Sequence, residues 1–193
     1  MKRYRPYCAG FIVLYVLVLL TFGDVVYTVI RQIQGVNDPM AGFSFFSYVI
    51  FALALCYTWQ YARAQVVVGE KTLRMAWPAN VRPRQGEPRA MIIFRQGDLD
   101  MKFIDKTIRL DSITRYGFVE DLGYEPIDRS LAGQKGKLFP VHEVAFITSD
   151  NKRYHMNAAI YSSKQQREMF TLIRDRSGVT PEGKLGELYK SGE

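Results

Sequence analysis

The strongest constraint on this chain is an apolar run near its start. Residues 8–30 read CAGFIVLYVLVLLTFGDVVYTVI, with one acidic and no basic side chain. A helix needs about 20 apolar residues to cross a hydrocarbon core about 30 Å thick, so this run is long enough to span a membrane. A second run, residues 43–61, reads FSFFSYVIFALALCYTWQY and carries no charge. The sequence therefore predicts two transmembrane helices, at residues 8–30 and 43–62.

The segment between the runs, RQIQGVNDPMAG, is rich in turn residues and predicts a transmembrane hairpin within residues 1–63. A basic start also fits a secretory signal peptide, but the apolar run is too long and no clear cleavage site follows. Basic residues precede the first run and follow the second, whereas the linker carries Arg31 alone. Since basic flanks stay inside, we expect both termini in the cytoplasm of a multi-pass cell-membrane protein, with a short outer loop.

Asp24 is the one ionisable residue within the predicted spans. Intramembrane carboxylates are costly and often functional. Three interpretations stay open: an interfacial or helix–helix hydrogen-bonding residue, a group on an ion or proton path, and a partner contact. The first is favoured because Asp24 lies about two helical turns from Arg31, close to the outer interface.

Composition narrows the functional classes. The 193 residues include 26 Lys and Arg against 19 Asp and Glu, a net charge of +7, and only two cysteines. These values exclude an acidic disordered chain and a disulfide-stapled secreted module. Cys8 and Cys56 lack metal-type spacing and are interpreted as packing residues. The basic excess is modest and no aromatic–basic motif accompanies it, so we expect no nucleic-acid partner.

From residue 64 the hydrophobic period changes from helical to strand-like. The pattern predicts strands at 65–68, 72–77, 90–94, 99–104, 107–110, 113–119, 141–148 and 153–158, with turns at 69–70, 96–98, 105–106 and 149–151. A helix capped by Ser162 or Ser163 then places Met169, Phe170 and Ile173 on one stripe. About seven antiparallel strands and a C-terminal amphipathic helix over residues 64–176 form a pleckstrin-homology-like (PH-like) plan. The tail, residues 177–193, is expected to fray or to dock on a partner.

Two segments carry a family resemblance. IRLDSITRYGFVED resembles the middle strand pair of bacterial PH-like domains, and VHEVAFITSDNKRYHMNAAIYSSKQQREMFTLI resembles their last hairpin and closing helix. With the two preceding helices, the chain is similar to membrane-anchored members, among them the two-helix EbsA-like proteins of Gram-positive bacteria. The resemblance implies a fold and brings a pore-forming label, but it includes no invariant chemical motif. The insertion at 120–139 departs from the family pattern.

No catalytic constellation is visible in the sequence. A P-loop, a dinucleotide-binding fingerprint and a nucleophile elbow are all missing. His142 and His155 fall on the predicted last hairpin without a nearby cysteine or carboxylate pattern, and are interpreted as structural or surface residues. Residues 133–137, GQKGK, lack the context of a phosphate-binding loop and are interpreted as solvated. We therefore expect no enzymatic activity, no metal site and no cofactor.

Two surfaces are candidates for contacts. Arg82, Arg84 and Arg89 follow the membrane exit and are predicted to contact the leaflet of the lipid bilayer, where each basic residue contributes on the order of 1 kcal/mol. The 120–139 insertion is the candidate partner loop, with a tolerated surface excursion as the alternative. Its candidate contact residues are Tyr124, Arg129, Lys135 and Lys137.

These features predict a non-enzymatic, membrane-anchored accessory or scaffolding protein of a bacterial inner membrane. Its cytoplasmic domain would bind a protein partner in a membrane assembly. A sheet edge, or the groove beside the closing helix, could accept a partner's peptide as an added strand. The alternative is a homo-oligomeric channel or transporter component in which Asp24 faces a pore.

Overall fold

A computed structural model describes residues 1–35, 41–80, 101–127 and 142–190 of the chain. The helices are α1 (Ala9–Ile33), α2 (Ala41–Arg63), α3 (Ser163–Ser177) and α4 (Gly183–Lys190). The strands are β1 (Lys2–Tyr4), β2 (Gln65–Val68), β3 (Thr72–Asn80), β4 (Met101–Arg109), β5 (Ile113–Phe118), β6 (Glu143–Thr148) and β7 (Arg153–Asn157). They form two antiparallel sheets, in the orders β1-β2-β3-β4 and β5-β6-β7. The predicted long apolar helix, β-rich region and C-terminal helix are therefore confirmed.

Helices α1 and α2 pack side by side in opposite directions. The rings of Phe11 and Tyr61 lie 6.3 Å apart, and those of Phe22 and Phe51 lie 6.0 Å apart. The less exposed positions recur at spacings of three and four residues, as in left-handed helix packing. This seam includes Phe11, Leu14, Val18, Thr21, Val25 and Thr28 of α1, and Ser47, Phe51, Ala54, Thr58 and Tyr61 of α2.

The outer surface of the helix pair is apolar. Its exposed side chains include Ile12, Leu19 and Leu20 of α1, and Phe46, Ile50, Leu55 and Trp59 of α2. Within the described residues, one helix, α1, is long and apolar enough to cross a membrane, and most of its apolar part is exposed. The second apolar run is helical as predicted. The described part of α2 ends in the polar sequence TWQYAR and is not, over the described residues, both long and apolar enough to cross a membrane.

The N-terminus enters the β-sheet, which the sequence did not predict. Lys2, Arg3 and Tyr4 pair antiparallel with Val68, Val67 and Val66, so β1 is an edge strand beside β2. Three residues are too few for a period-2 pattern to be visible. As a result, the chain enters α1 and leaves α2 at the same sheet.

One predicted turn is wrong. The dipeptide Asp105-Lys106 was expected to separate two short strands, yet β4 runs through it without a break. All nine residues of β4 pair with β3, from Thr72 with Arg109 to Asn80 with Met101. Cross-strand pairing therefore overrides the local turn preference. The predicted strand at 90–94 lies outside the described residues.

Both sheets contribute to one hydrophobic core, which α3 covers. The indole Nε1 of Trp77 on β3 donates to the carbonyl of His155 on β7 at 3.0 Å and joins the sheets. The ring of Tyr116 stacks on Phe146 at 5.4 Å and on Phe170 of α3 at 6.4 Å. The stripe predicted for the closing helix, Met169, Phe170 and Ile173, is buried.

Local signals define both ends of α3. The hydroxyl of Ser162 accepts from the amide of Gln165, whose side chain accepts from the Ser162 amide, forming a capping box. Gly178 ends the helix with a φ of 72°, a left-handed conformation that glycine adopts without steric cost. The predicted start of this helix is confirmed.

The described part of the tail, up to residue 190, is docked on its own domain, where the sequence predicted fraying or docking on a partner. The amide of Glu182 donates to the carbonyl of Tyr116 at 2.8 Å, and Arg115 forms two hydrogen bonds of 2.7 Å with the Glu182 carboxylate. Leu185 of α4 is fully buried. A Cβ at position 117 would lie 3.0 Å from the Glu182 carbonyl oxygen, so Gly117 allows the backbones to approach closely.

Candidate functional site

A groove of about 650 Å³ lies between the edge strand β1 and helix α3. It exists because α3 covers the core beside β1, the edge strand of the four-stranded sheet. Lys2 and Tyr4, which share one face of β1, form one wall. The other wall is formed by Ser163, Lys164, Arg167, Glu168, Thr171, Leu172 and Asp175.

The groove has an excess of positive charge. Lys2 and Glu168 form an ion pair across it, and Asp175 pairs with Arg174 at 3.1 Å. Lys164 and Arg167 are exposed and form no ion pair with another residue in the part of the chain that the structure describes. Since both acids have a cationic partner, these two side chains are available to an anionic ligand.

Tyr4 is the buried residue of the β1 wall. Its side chain is 3% exposed, and its hydroxyl has no hydrogen-bond partner among the described residues. Burial, followed by the negative charge of Glu168, raises the pKa of Tyr4 to about 12. The phenol is therefore a neutral, buried donor at physiological pH, and an unsatisfied buried hydroxyl costs about 1–3 kcal/mol.

The register of the sheet shows which backbone groups face β1. The amide of Gly69 donates to the carbonyl of Thr72 at 2.7 Å, at the end of the β2–β3 hairpin. Hydrogen-bonded pairs alternate along an antiparallel ladder, so Val67 bonds to β3. Val66 and Val68 then turn their N–H and C=O groups toward β1.

It follows that Lys2 and Tyr4, which lie opposite Val68 and Val66, use their backbone groups to pair with β2. The N–H and C=O of Arg3, between them, point away from the sheet. No second strand pairs with β1 in the described part of the chain. The groove therefore borders an open sheet edge, the kind of surface to which another strand can add.

The groove begins beside the helix pair and runs away from it. At its near end, the side-chain amide of Gln165 donates to the carbonyl of Arg5 at 3.1 Å, four residues before α1 starts. At its far end, the guanidinium of Arg176 donates to the carbonyl of Val68 at 3.0 Å. A chain lying in the groove would extend from the level of the α1 start outward along α3.

Of the residues predicted from the sequence, Asp24 and Tyr124 are described and lie apart. Asp24 is half-buried on α1, and its buried Oδ2 atom has no hydrogen-bond partner among the described residues. Tyr124 packs under the guanidinium of Arg153 at 4.7 Å, so it contacts its own domain. The other candidates, Arg82, Arg84, Arg89, Arg129, Lys135 and Lys137, lie outside the described residues.

Each histidine lies near a carboxylate that the sequence pattern did not indicate, Glu143 for His155 and Glu120 for His142. His155 Nδ1 is 2.8 Å from Glu143 Oε2, and the two side chains are 7% and 1% exposed. The same Glu143 oxygen accepts from the amide of Ile127 at 3.0 Å. His142 stacks on Phe118 at a centroid distance of 3.7 Å. The buried Glu143–His155 pair therefore anchors the start of the 120–139 insertion.

Neither histidine belongs to a cluster that could hold a metal, since the described residues contain no group of three or more His, Cys, Asp or Glu suited to one. The sequence predicts a groove beside the closing helix as a possible peptide-binding surface, but it does not identify the residues that form it. The one sequence feature that belongs to the β1 wall is the basic start, MKRYR, and by itself that feature indicates only membrane topology.

Comparison of this chain with protein-family models, with curated proteins and with solved structures found no match. The groove, the edge of β1 and the apolar helix pair are therefore the features of the molecule that bear on its function.

Proposed function

We propose that this protein is a non-enzymatic, membrane-anchored accessory or scaffolding protein whose β domain binds a protein partner in a membrane assembly. The observation that carries the proposal is the groove at the edge of β1, where Lys164 and Arg167 have no anionic partner and β1 has no second neighbouring strand among the described residues. Strand addition to an exposed edge uses main-chain hydrogen bonds for affinity and neighbouring pockets for specificity. A binding surface of this kind needs no catalytic group.

The helix pair supports membrane anchoring. The 25 residues of α1 extend about 37 Å at 1.5 Å per residue, which exceeds a hydrocarbon core of about 30 Å. The apolar outer surface of α1 and α2 would be costly in water and is favourable in lipid. On this proposal both helices cross the bilayer as a hairpin, and the basic flanks keep the β domain and both termini in the cytoplasm.

We assign the β domain to the PH-like plan because the described residues form seven antiparallel strands, in two sheets around one core that α3 covers. The plan would be modified here, since β1 is separated from the other strands by both membrane helices. Arg82, Arg84 and Arg89 would hold the domain against the anionic leaflet, a contact that the triple exchange to glutamate should weaken in a salt-sensitive way.

The test is purification of the full-length protein from its native membrane in mild detergent by a C-terminal tag, with quantitative mass spectrometry of what is retained. We expect a defined membrane complex with at least one partner at a stoichiometric amount. Recovery of a homogeneous homo-oligomer without any other protein would contradict the accessory role.

Asp24 favours a second candidate function, a homo-oligomeric channel or transporter component. Its carboxylate lies about 22 Å along α1 from Ala9 at 1.5 Å per residue, and one buried oxygen lacks a described hydrogen-bond partner. Two helices enclose no aqueous path, so several copies would be required. Loss of conductance in Asp24→Asn, but not in Thr21→Val one turn away, would support this candidate; a monomer in detergent would argue against it.

A further inference from the structure

We propose that the β1–α3 groove binds an extended, acidic segment of the partner, which adds as a strand to the open edge of β1 and pairs its carboxylates with Lys164 and Arg167. This inference rests on the proposed function and specifies the chemistry of its partner. Two independent features of the groove support it: its open backbone groups and its charge.

The backbone groups of Arg3 determine how a chain would bind. Its N–H and C=O point away from β2, so an incoming strand can form both hydrogen bonds without disturbing the sheet. From Ser163 to Asp175 the α3 wall is about 18 Å long, at 1.5 Å per residue. An extended chain rising about 3.3 Å per residue would fill it with five or six residues.

The charges select an acidic segment. Glu168 and Asp175 already have the cationic partners Lys2 and Arg174, whereas Lys164 and Arg167 have no described anionic partner. They lie three residues apart near the start of α3, on one face of the helix. Carboxylates on alternate residues of an added strand lie about 7 Å apart along it, within reach of both long side chains.

The position and the length of the groove favour a peptide chain as its occupant. A lipid headgroup suits the groove less well, because the headgroup layer is only about 5–8 Å thick and the groove runs about 18 Å away from the helix pair.

The backbone arm of the test uses the full-length protein in nanodiscs of neutral phosphatidylcholine. The probe is a fluorescein-labelled hexapeptide of alternating valine and glutamate, and binding is measured by fluorescence anisotropy. Arg3→Pro removes the outward N–H. It removes no bond to β2, because that N–H points away from β2, and proline is tolerated on sheet edges. We expect Arg3→Pro to weaken binding about tenfold or more, and Arg3→Ala, which keeps the N–H, to change it about threefold or less.

The charge arm compares two double variants. Lys164→Glu with Arg167→Glu should weaken binding about tenfold or more, because two favourable charge contacts become repulsive. Lys106→Glu with Lys184→Glu makes the same change in net charge on exposed residues outside the groove and should leave binding unchanged. A hexapeptide of alternating valine and lysine should bind at least about tenfold more weakly than the acidic one.

The inference is overturned if the acidic peptide does not bind in neutral nanodiscs, if both peptides bind equally, or if the two double variants behave alike. It also fails if Arg3→Pro and Arg3→Ala bind the peptide equally. Purification of Arg3→Pro from its native membrane separates the two proposals: a complex that survives intact keeps the accessory function and removes the groove as its docking site, whereas the absence of any complex in the wild-type protein removes the function itself.

Discussion

At the residue scale, two buried polar groups stand out, and they differ in how well they are satisfied. Glu143 has two described partners, His155 and the amide of Ile127. Tyr4 has a buried hydroxyl with none. Buried polar groups are costly unless they are hydrogen-bonded, so substitution should have opposite effects at the two sites.

Tyr4→Phe should be neutral or stabilising at pH 7 and clearly stabilising in alkali. The pKa of Tyr4 is about 12 in the folded protein and about 10 in the unfolded chain. Because the unfolded chain loses the phenol proton first, the wild-type protein keeps its full stability below pH 10 and loses stability as the pH rises from 10 toward 12. The phenylalanine variant has no such loss at this position. Thermal unfolding at pH 7 and pH 10.5, followed by tryptophan fluorescence, checks this. Tyr7→Phe, at an exposed tyrosine, is the control. A lower melting temperature for Tyr4→Phe at pH 10.5 would contradict the prediction.

Glu143→Ala should destabilise the protein by about 3 kcal/mol, because it leaves His155 and the Ile127 amide buried without their acceptor. For a chain of this size, that corresponds to a fall in melting temperature of about 6–12 °C. Calorimetry of the full-length protein in detergent measures it. Glu120→Ala removes an exposed carboxylate 3.9 Å from His142 and should change stability by no more than about 0.5 kcal/mol. Equal effects at both positions would refute the structural role of Glu143.

At the element scale, prediction from sequence succeeded where local signals determine the structure. The cap at Ser162, the apolar stripe of α3 and the turn around Asp150 are encoded within a few residues, and the structure has all three. It failed where distant pairing decides. A continuous β4 depends on β3, and the Arg74–Asp105 ion pair, with bonds of 2.9 and 2.6 Å, joins the strands where a turn was expected.

The docked tail is a second element that local sequence could not predict, since its contacts lie on β5. Leu185→Asp should release α4, because an aspartate cannot be buried where the leucine is fully buried. Limited trypsin digestion at Lys184 should then be at least about tenfold faster, as burying a leucine contributes about 1.5–3 kcal/mol. Leu188→Asp, at a leucine that is 56% exposed, should leave the cleavage rate unchanged. If both variants are cut at the wild-type rate, α4 does not depend on Leu185 for docking.

At the scale of the whole molecule, the two halves are joined through β1. The sequence indicates an apolar part and a β-rich part because each has its own hydrophobic period, but it places the N-terminus wholly in the first. The groove requires residues 2–4 to meet residues 163–175, a juxtaposition that only the folded sheet creates. Neither wall carries a motif of its own, so the candidate site could not be predicted residue by residue.

The joint at β1 also constrains topology. Since the chain enters α1 and leaves α2 at one sheet, a hairpin across the bilayer would expose the region around Gln34 on the side opposite Lys184. In a background with Cys8 and Cys56 replaced by alanine, Gln34→Cys should react with a membrane-impermeant maleimide in intact cells. Lys184→Cys should react only after the membrane is permeabilised, because basic flanks keep the β domain inside.

Two other labelling patterns would contradict the hairpin. Labelling of both cysteines from outside would place the whole chain on the outer face. Labelling of neither in intact cells, but of both after permeabilisation, would leave α1 and α2 lying against the inner leaflet or the domain without crossing. Only the asymmetric result is compatible with the proposed hairpin and a cytoplasmic partner.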